Sequence, residues 1–534
     1  MKPRVRANLV TLALAVSCIA PAQAGEPRVG KFVQYDAGEF VVVTSRSGAQ
    51  ARRIMEDLVK FRMTLEGVLG KRATPNAFPT TIVITSASDW KNWLQPAQNI
   101  AGFFQRARFS NYMALNGDAP VDEALHVMFH EYTHYYLASQ FAGEYPPWFN
   151  EGLAELMGWA RFDKGMALLQ VPMYQVYEAR DGDWITFDRL LKVDHNDPEY
   201  QSHKLAPSFY AQCWLTMNYG LIENREFGTQ ILNYLQKLNT LVPQDEAARS
   251  AFGDLAAADR RLREYSRAKN IAGGGLALKN VPEVQLPAPK PLGEFDAMSI
   301  IADVMLETRL SPERIRPMVQ SLERRDPNRA RAAILAARLA QATDDNAAFD
   351  AAVAKAEAAL APTDWQQRRE LASVLLSSGL DSSPMSSRQT EAMENDVKRA
   401  LKWFAEAISH NHEDVEALWG FGTAATRLDK NLDVAEQALV AAYQRAPSSA
   451  EIAMSLANLK ARQEKPDEMI PFLEDTVRYA TDLHTRRWAS DTLVQTRNYL
   501  KERDELEAEN RKQQEAYEKM RAEYEKKYGK PKKK

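Results

Sequence analysis

A Gly/Pro-rich stretch divides this chain into two halves of different backbone preference, and that division restricts its possible folds more than any other feature. Gly273-Gly274-Gly275, followed by Pro282, Pro287, Pro289 and Pro291, marks residues 268–295 as a linker. Before it, β-branched runs alternate with helical patterns. Glu39 to Ser45 (EFVVVTS) and Thr80 to Ser86 (TTIVITS) suit strands, and between them Ile54, Leu58, Phe61, Leu65 and Leu69 recur at helical spacing up to Gly70. Beyond it there is almost no strand signal, and alanine and leucine dominate. A chain of 534 residues is too long for one ordinary core. The expectation is an α+β domain followed by an all-α one.

Within the first half, Asp89 to Leu94 reads as a short helix and Ala101 to Gln105 as an extended piece. Phe109 to Asn116 (FSNYMALN) is the last strand before a helix that opens after Pro120. That helix carries His130-Glu131-Tyr132-Thr133-His134. Residues four apart are neighbours on one helix face, so the imidazoles of His130 and His134 can reach one ion. Zinc suits such ligands, and Glu131, about 100° round the helix from His130, can take a proton from a water held there. Alone, the pattern is short enough to arise by chance on an amphipathic helix.

A second run, Trp148-Phe149-Asn150-Glu151-Gly152-Leu153-Ala154-Glu155, follows Pro146-Pro147, and Pro147 is suited to a first helical turn. Sixteen residues separate His134 from Glu151, enough for a reversal that sets two helices side by side. Glu151 can then supply a third ligand. Glu155, one turn on, can accept the outer N–H of a ligating histidine.

Together the two runs resemble gluzincin zinc metallopeptidases, most closely the bacterial peptidase MA-like domains, although their separation is a little shorter than in well-studied gluzincins. The resemblance implies a zincin-like α+β catalytic domain that binds one Zn2+ through His130, His134 and Glu151, with Glu131 as general base. It also implies that Phe109 to Asn116 is an exposed edge strand on which an extended peptide pairs by main-chain hydrogen bonds. A tyrosine or histidine downstream of the third ligand steadies the oxyanion in that family. Tyr210, in Ser208-Phe209-Tyr210-Ala211-Gln212, is the candidate, and its alternative reading is a packed aromatic. His203 competes for this role, though it also suits a surface loop. His126, one turn before His130, reads as solvated or capping rather than as a support for the site. His195, in Asp194-His195-Asn196-Asp197, reads as a polar turn, and Cys213 as a buried small hydrophobe.

The second half is similar to tetratricopeptide repeats. In the 34-residue window Glu416 to Ser449, Trp419, Ala435, Leu439, Ala442 and Pro447 occupy the positions where that pattern wants Trp, Ala, a large apolar residue, Ala and Pro. Leu456, Ala457, Leu473 and Val477 continue it one period on, and Ala400, Phe404 and Ala407 match one period back with a slip of one residue. A plain helical bundle is the alternative. The resemblance implies an all-α solenoid that binds peptides or protein partners. Lys501 to Lys534 is dense in Glu, Lys and Arg and reads as a solvated helix ending in Lys530-Pro531-Lys532-Lys533-Lys534.

Lys2, Arg4 and Arg6 precede an apolar run from Leu9 to Ala20 and the small-residue pattern Ala22-Gln23-Ala24, which reads as a cleaved export signal. Acylation at Cys18 is the weaker alternative. Loss of the leader removes three bases and no acid, taking the formal charge from −3 to −6, so nucleic-acid binding is not expected. Only Cys18 and Cys213 are present, so the exported chain has no internal disulfide.

The expected organisation is a signal peptide at 1–24, a metallopeptidase domain at 25–267, the linker at 268–295, helical repeats at 296–500 and a charged tail at 501–534. The expected function is peptide-bond hydrolysis by a periplasmic or secreted zinc peptidase whose repeats bind a protein, with no membrane association once the signal is removed. A scaffold with an inactive or structural zinc domain is the first alternative, and a zinc hydrolase acting on something other than peptide the second.

Overall fold

The computed structural model describes residues 27–528 except 39, 72–77, 96–100, 141–144, 203, 241, 381–385 and 481–482. The expected leader, with Cys18, therefore lies outside the described residues, as do His203 and the Lys530–Lys534 end of the tail. The chain forms two compact units, Met1–His410 and Asn411–Lys534.

The first unit is built on a six-stranded mixed sheet. Strands β1 (Val33–Ala37) and β2 (Phe40–Thr44) form an antiparallel pair. The chain then passes through α1 (Gly48–Leu69), capped by the Ser47 hydroxyl and ended by Gly70 at φ 68°, to reach β3 (Thr80–Thr85) parallel to β2. A short α2 (Ala87–Asp89) continues as a π-helical turn over Trp90–Leu94. Strands β4 (Gly102–Arg106) and β5 (Asn111–Asn116) follow, β5 parallel to β3 and β4 antiparallel to β5.

The strand order β4-β5-β3-β2-β1, closed by a short β9 (Lys290–Pro291), corrects one expectation. Phe109 to Asn116 is not an edge, because β5 is paired on both sides. Among the described residues the sheet ends on β4 on this side and on β9 on the other. The resemblance had put the edge on the strand next before the His130 helix, but the β4–β5 hairpin folds back and leaves its first arm outside.

After β5 come α3 (Val121–Gln140) and α4 (Pro147–Gly158), the latter opening on Pro147. A hairpin of β6 (Ala160–Asp163) and β7 (Met166–Leu169) turns through Lys164 at φ 46° and Gly165 at φ 76°, the left-handed pair that a tight two-residue turn requires. Helices α5 (Met173–Asp181), α6 (Phe187–Lys192), α7 (Pro198–Gln201), α8 (Ala206–Asn218), α9 (Arg225–Asn239), α10 (Gln244–Phe252) and α11 (Leu255–Ser266) complete this region.

Residues 268–295 are not a free linker. Strand β8 (Gly274–Ala277) joins β6 and β7 in a second sheet, and β9 pairs with β1. The glycines permit a close approach: a Cβ on Gly273 would lie 2.7 Å from the Leu169 carbonyl oxygen. The helices that follow also belong to this unit. They are α12 (Glu294–Glu307), α13 (Pro312–Arg325), α14 (Ala330–Ala342), α15 (Asn346–Ala359), α16 (Trp365–Gly379) and α17 (Thr390–His410).

Both faces of the main sheet are covered, which explains its near-continuous apolar strands. Val42, Ile82, Ile84, Met113 and Leu115 face Leu58 and Phe61 of α1 and Phe129 and Tyr132 of α3. Val43, Val83 and Ala114 face the other way, onto Met298, Ile301, Met318 and Leu335 of α12, α13 and α14. The expected boundary at 296 therefore cuts through a core. The first helices of the repeat-like half are the back layer of the sheet.

The second unit is all-α and built from helix pairs: α18 (Val415–Arg427) with α19 (Leu432–Arg445), α20 (Ala450–Arg462) with α21 (Pro466–Tyr479), and a long α22 (Leu483–Tyr528) against α21. Helices α19 and α21 begin 34 residues apart, at 432 and 466. Ala435, Leu439 and Ala442 are buried as the repeat pattern requires, and the Trp419 indole donates to Ser455 Oγ of the next pair at 2.9 Å. A Cβ on Gly422 would meet Leu439 Cγ at 2.5 Å, so the α18–α19 crossing is as close as a glycine allows. The C-terminal part is thus a tetratricopeptide-like array. Among the described residues, no helix is long and apolar enough to cross a membrane.

Candidate metal centre

Helices α3 and α4 pack side by side, and α4 in turn lies on α8. The second contact fixes the depth of Glu151. A Cβ on Gly152 would stand 2.5 Å from the Cys213 carbonyl oxygen and 2.7 Å from Met217 Cγ, so the residue after Glu151 has no room for a side chain. Trp148, Leu153 and Leu156 are fully buried around it, and α4 cannot rotate without exposing them.

Three candidate ligand atoms meet between α3 and α4. His130 Nε2 and His134 Nε2 are 3.1 Å apart, and Glu151 Oε2 lies 3.3 Å from the first and 3.5 Å from the second. A tetrahedral zinc with ordinary bond lengths sets its ligand atoms about 3.3 to 3.5 Å apart, so the triangle has the size of one face of such a shell. Glu151 Oε2 is buried and accepts no hydrogen bond. Its other oxygen, Oε1, accepts one from the Tyr200 hydroxyl at 2.8 Å, leaving Oε2 for the histidines.

Glu155 stands behind this triangle. Its Oε1 lies 3.3 Å from His130 Nδ1, its Oε2 lies 3.4 Å from His126 Nε2, and Oε2 also accepts from Gln175 Nε2 at 2.8 Å. With a proton on Nδ1, toward Glu155, a neutral His130 presents a lone pair to Glu151 Oε2. With the His134 proton on Nδ1 as well, three acceptors converge, an arrangement that a cation at their centre satisfies. Burial works against a charged His130, yet the carboxylates of Glu151 and Glu155 hold its pKa well above the usual imidazole range. Burial likewise opposes ionised carboxylates here, but His134 and His130 hold Glu151 well below its ordinary value, and His126 and His130 hold Glu155 down to about 2. The site is electrostatically built for negative carboxylates around a positive charge.

Glu131 is half-buried on the next position of α3, and its negative charge reaches both His130 and the Tyr200 phenol. Tyr210 is buried on α8 with its ring 6.1 Å from that of Tyr200. The tyrosine on the ligand set is thus Tyr200. Burial and the adjacent Glu151 carboxylate push its phenol well above the ordinary range. Sequence reasoning missed it because α7 is four residues long and shows no periodicity. Gln175 was missed for a similar reason, since its partner Glu155 is twenty residues away.

His126 also departs from expectation. It is 5% exposed, packs its ring 4.3 Å from that of Trp159, and rests against Gly158, where a Cβ would come within 2.9 Å of its ring. It is a buried neighbour of Glu155, neither solvated nor capping. His195 sits in an exposed turn, its ring 4.8 Å edge-on from Tyr200. Cys213 is buried on α8, and burial pushes its thiol well above the ordinary range, so it is no nucleophile.

No family model matches the sequence, and no curated protein does. Similar solved structures include YrrB, a TPR protein with an unusual peptide-binding site, at 18% identity over 36% of this chain and 91% of that one, with a TM-score of 0.27. Pseudomonas aeruginosa PilF matches at 14% identity over 40% of this chain and 97% of its own, with a TM-score of 0.29. Yeast Tom70 matches at 16% identity over 56% of this chain and 62% of its own, with a TM-score of 0.28. Overlaps of this size are too low to carry an argument, and the repeat architecture rests on the helix pairs themselves.

Proposed function

We propose that this chain is an exported zinc-dependent metallopeptidase of the gluzincin kind, acting in the periplasm or outside the cell, whose helical repeats hold a protein partner. The observation that carries the reading is the triangle of His130 Nε2, His134 Nε2 and Glu151 Oε2, with edges of 3.1 to 3.5 Å and a buried oxygen that accepts no hydrogen bond. Those three residues would hold the ion. Bound there, zinc supplies Lewis-acid polarisation of a carbonyl and makes water more acidic.

The chain's own groups then have distinct tasks. Glu131 accepts the proton of the attacking water and passes it to the leaving amine. Glu155 orients His130, and Tyr200 orients Glu151, so that the ligand atoms stay converged. Tyr210, or a neighbour of it, steadies the developing oxyanion. Strand β4, which ends the main sheet beside α3, is where an extended peptide adds as a further strand through main-chain hydrogen bonds.

The second reading is a protein-binding scaffold with a structural metal, favoured by the helix pairs that make up much of the chain. Metal analysis of the purified protein beside a Glu131→Gln variant, with both assayed on a mixed protein substrate, separates the two. Zinc in both and cleavage only by the parent supports the peptidase. Zinc in both and cleavage by neither supports the scaffold.

A further inference from the structure

A cavity of about 360 Å³ opens in the first unit between the N-terminal halves of α1 and α3 and the end of β5. That is the size of a small-molecule site, about 300 to 1,000 Å³. It is separate from the metal centre. Leu125, where α3 lines the cavity, lies more than one turn before His130 and about 140° round the helix from it. Helix α1, which forms the other wall, contributes nothing to the triangle of His130, His134 and Glu151.

The lining sets two opposite charges over an apolar floor. Ile54, Leu115 and Leu125 are buried hydrophobic side chains. Arg53 and Asp57 stand at i and i+4 on α1, on the face turned to the cavity. Arg53 is exposed, and among the described residues it makes no ion pair or hydrogen bond. Asp57 is 9% exposed, and its ion-pair partner Lys60 lies 3.6 Å from Oδ1, farther than a hydrogen bond. Burial raises the Asp57 carboxyl above its ordinary value, so the charge weakens the fold. A buried carboxylate that weakens the fold and takes no part in the metal centre calls for a ligand bearing the opposite charge.

Two amides complete the lining. Gln50 Nε2 donates to the Gly117 carbonyl at 2.7 Å, which leaves Oε1 to accept. Asn116 Oδ1 accepts from the Asp118 N–H at 3.0 Å, which leaves Nδ2 to donate.

We propose that this cavity binds a free amino acid with an apolar side chain. Its ammonium group meets Asp57 and Gln50 Oε1, its carboxylate meets Arg53 and Asn116 Nδ2, and its side chain covers Ile54, Leu115 and Leu125. The guanidinium is a planar fork suited to a carboxylate. A simple amine leaves Arg53 unanswered, a simple acid leaves Asp57 buried without a counter-charge, and an uncharged apolar ligand does both. The site does not depend on the zinc reading.

The test is isothermal titration calorimetry of the full chain with L-leucine, with 3-methylbutylamine, which lacks only its carboxylate, and with 4-methylpentanoate, which lacks only its amine. L-leucine should bind, and each analogue should bind roughly tenfold or more weakly by comparison. Asp57→Asn should weaken L-leucine and the amine by a similar factor and spare the acid. Arg53→Gln should weaken L-leucine and the acid and spare the amine. Both variants should fold, since the first removes a buried charge and the second changes an exposed side chain, and their melting curves check this. No heat from L-leucine at about 10 mM overturns the proposal. So does equal binding of L-leucine and 3-methylbutylamine, which marks an amine site. Unchanged L-leucine binding in both variants also overturns it, because the ligand then lies elsewhere.

Discussion

Replacing Tyr200 by phenylalanine removes the phenol's hydrogen bonds to Glu151 and with Tyr210 and leaves the ring in place. The ring keeps its contacts with Phe209 at 5.7 Å, Tyr210 at 6.1 Å and His195 at 4.8 Å, because those are made by carbon. What the ligand set loses is the 2.8 Å bond from the phenol to Glu151 Oε1. A hydrogen bond to a charged acceptor contributes about 1.5 to 3 kcal/mol net, so Glu151 loses that much of the restraint that turns Oε2 toward His130 and His134. If the carboxylate serves as a ligand, the deficit appears in metal affinity, and such outer partners are worth about 10- to 100-fold.

The measurement is a chelator-competition titration of zinc on parent, Tyr200→Phe and Tyr210→Phe chains. The zinc dissociation constant should rise by about 10- to 100-fold for Tyr200→Phe. For Tyr210→Phe it should stay closer to the parent value, since Tyr210 stands against Tyr200 and outside the triangle of His130, His134 and Glu151. Equal affinity in parent and Tyr200→Phe would refute the assignment of Glu151 as a ligand positioned by Tyr200. A loss of the same size in Tyr210→Phe would show that the two phenols act as one network.

Glu155→Ala should be the most damaging change behind the site. It leaves His126, His130 and Gln175 buried without their shared acceptor, and breaking a buried ionic cluster costs about 3 to 5 kcal/mol, so thermal unfolding should fall sharply and zinc should be lost. Asp57→Asn should act in the opposite sense. Burial raises the Asp57 carboxyl above its ordinary value of 3.8, so the folded chain holds that proton more tightly than the unfolded one, and stability from it is lost as pH rises. The variant should therefore melt higher than the parent at neutral pH, and the gain should vanish in a melting series carried below pH 3.8.

How much of this was legible in the residues depends on the range over which each feature acts. The α3 and α4 motifs were readable because their geometry is local: i and i+4 on a helix, and a proline at the start of the next. Even the Gly after Glu151 fits, although the reason it must be glycine, the Cys213 carbonyl 2.5 Å away, lies far along the chain on α8. Tyr200 was not readable, since a four-residue helix has no period and its target lies across the fold. His126 was misread because a polar residue one turn before a metal motif looks like surface until Trp159 and Gly158 are known to enclose it. The edge position that the resemblance gave to Phe109 to Asn116 failed because nothing in the pattern of one strand says which neighbour lies outside it.

One feature of the first half did announce what the Gly/Pro stretch concealed. Phe40–Thr44 and Thr80–Thr85 show no in-out alternation, and a strand without alternation needs cover on both faces. Helices α1 and α3 cover one. The other falls to α12, α13 and α14, all beyond residue 290. A fragment ending at residue 295 would return Phe32, Val43, Val83 and Phe103 to water. At about 1.5 to 3 kcal/mol for each large side chain, that is about 6 to 12 kcal/mol, as much as the whole stability of an ordinary domain. The fragment 25–295 should therefore be aggregated or molten by near-ultraviolet circular dichroism, while 25–410 should unfold cooperatively and bind zinc. A soluble 25–295 fragment with a sharp melting transition would show that the sheet does not need its back layer, and that the metal site is independent of the helices behind it.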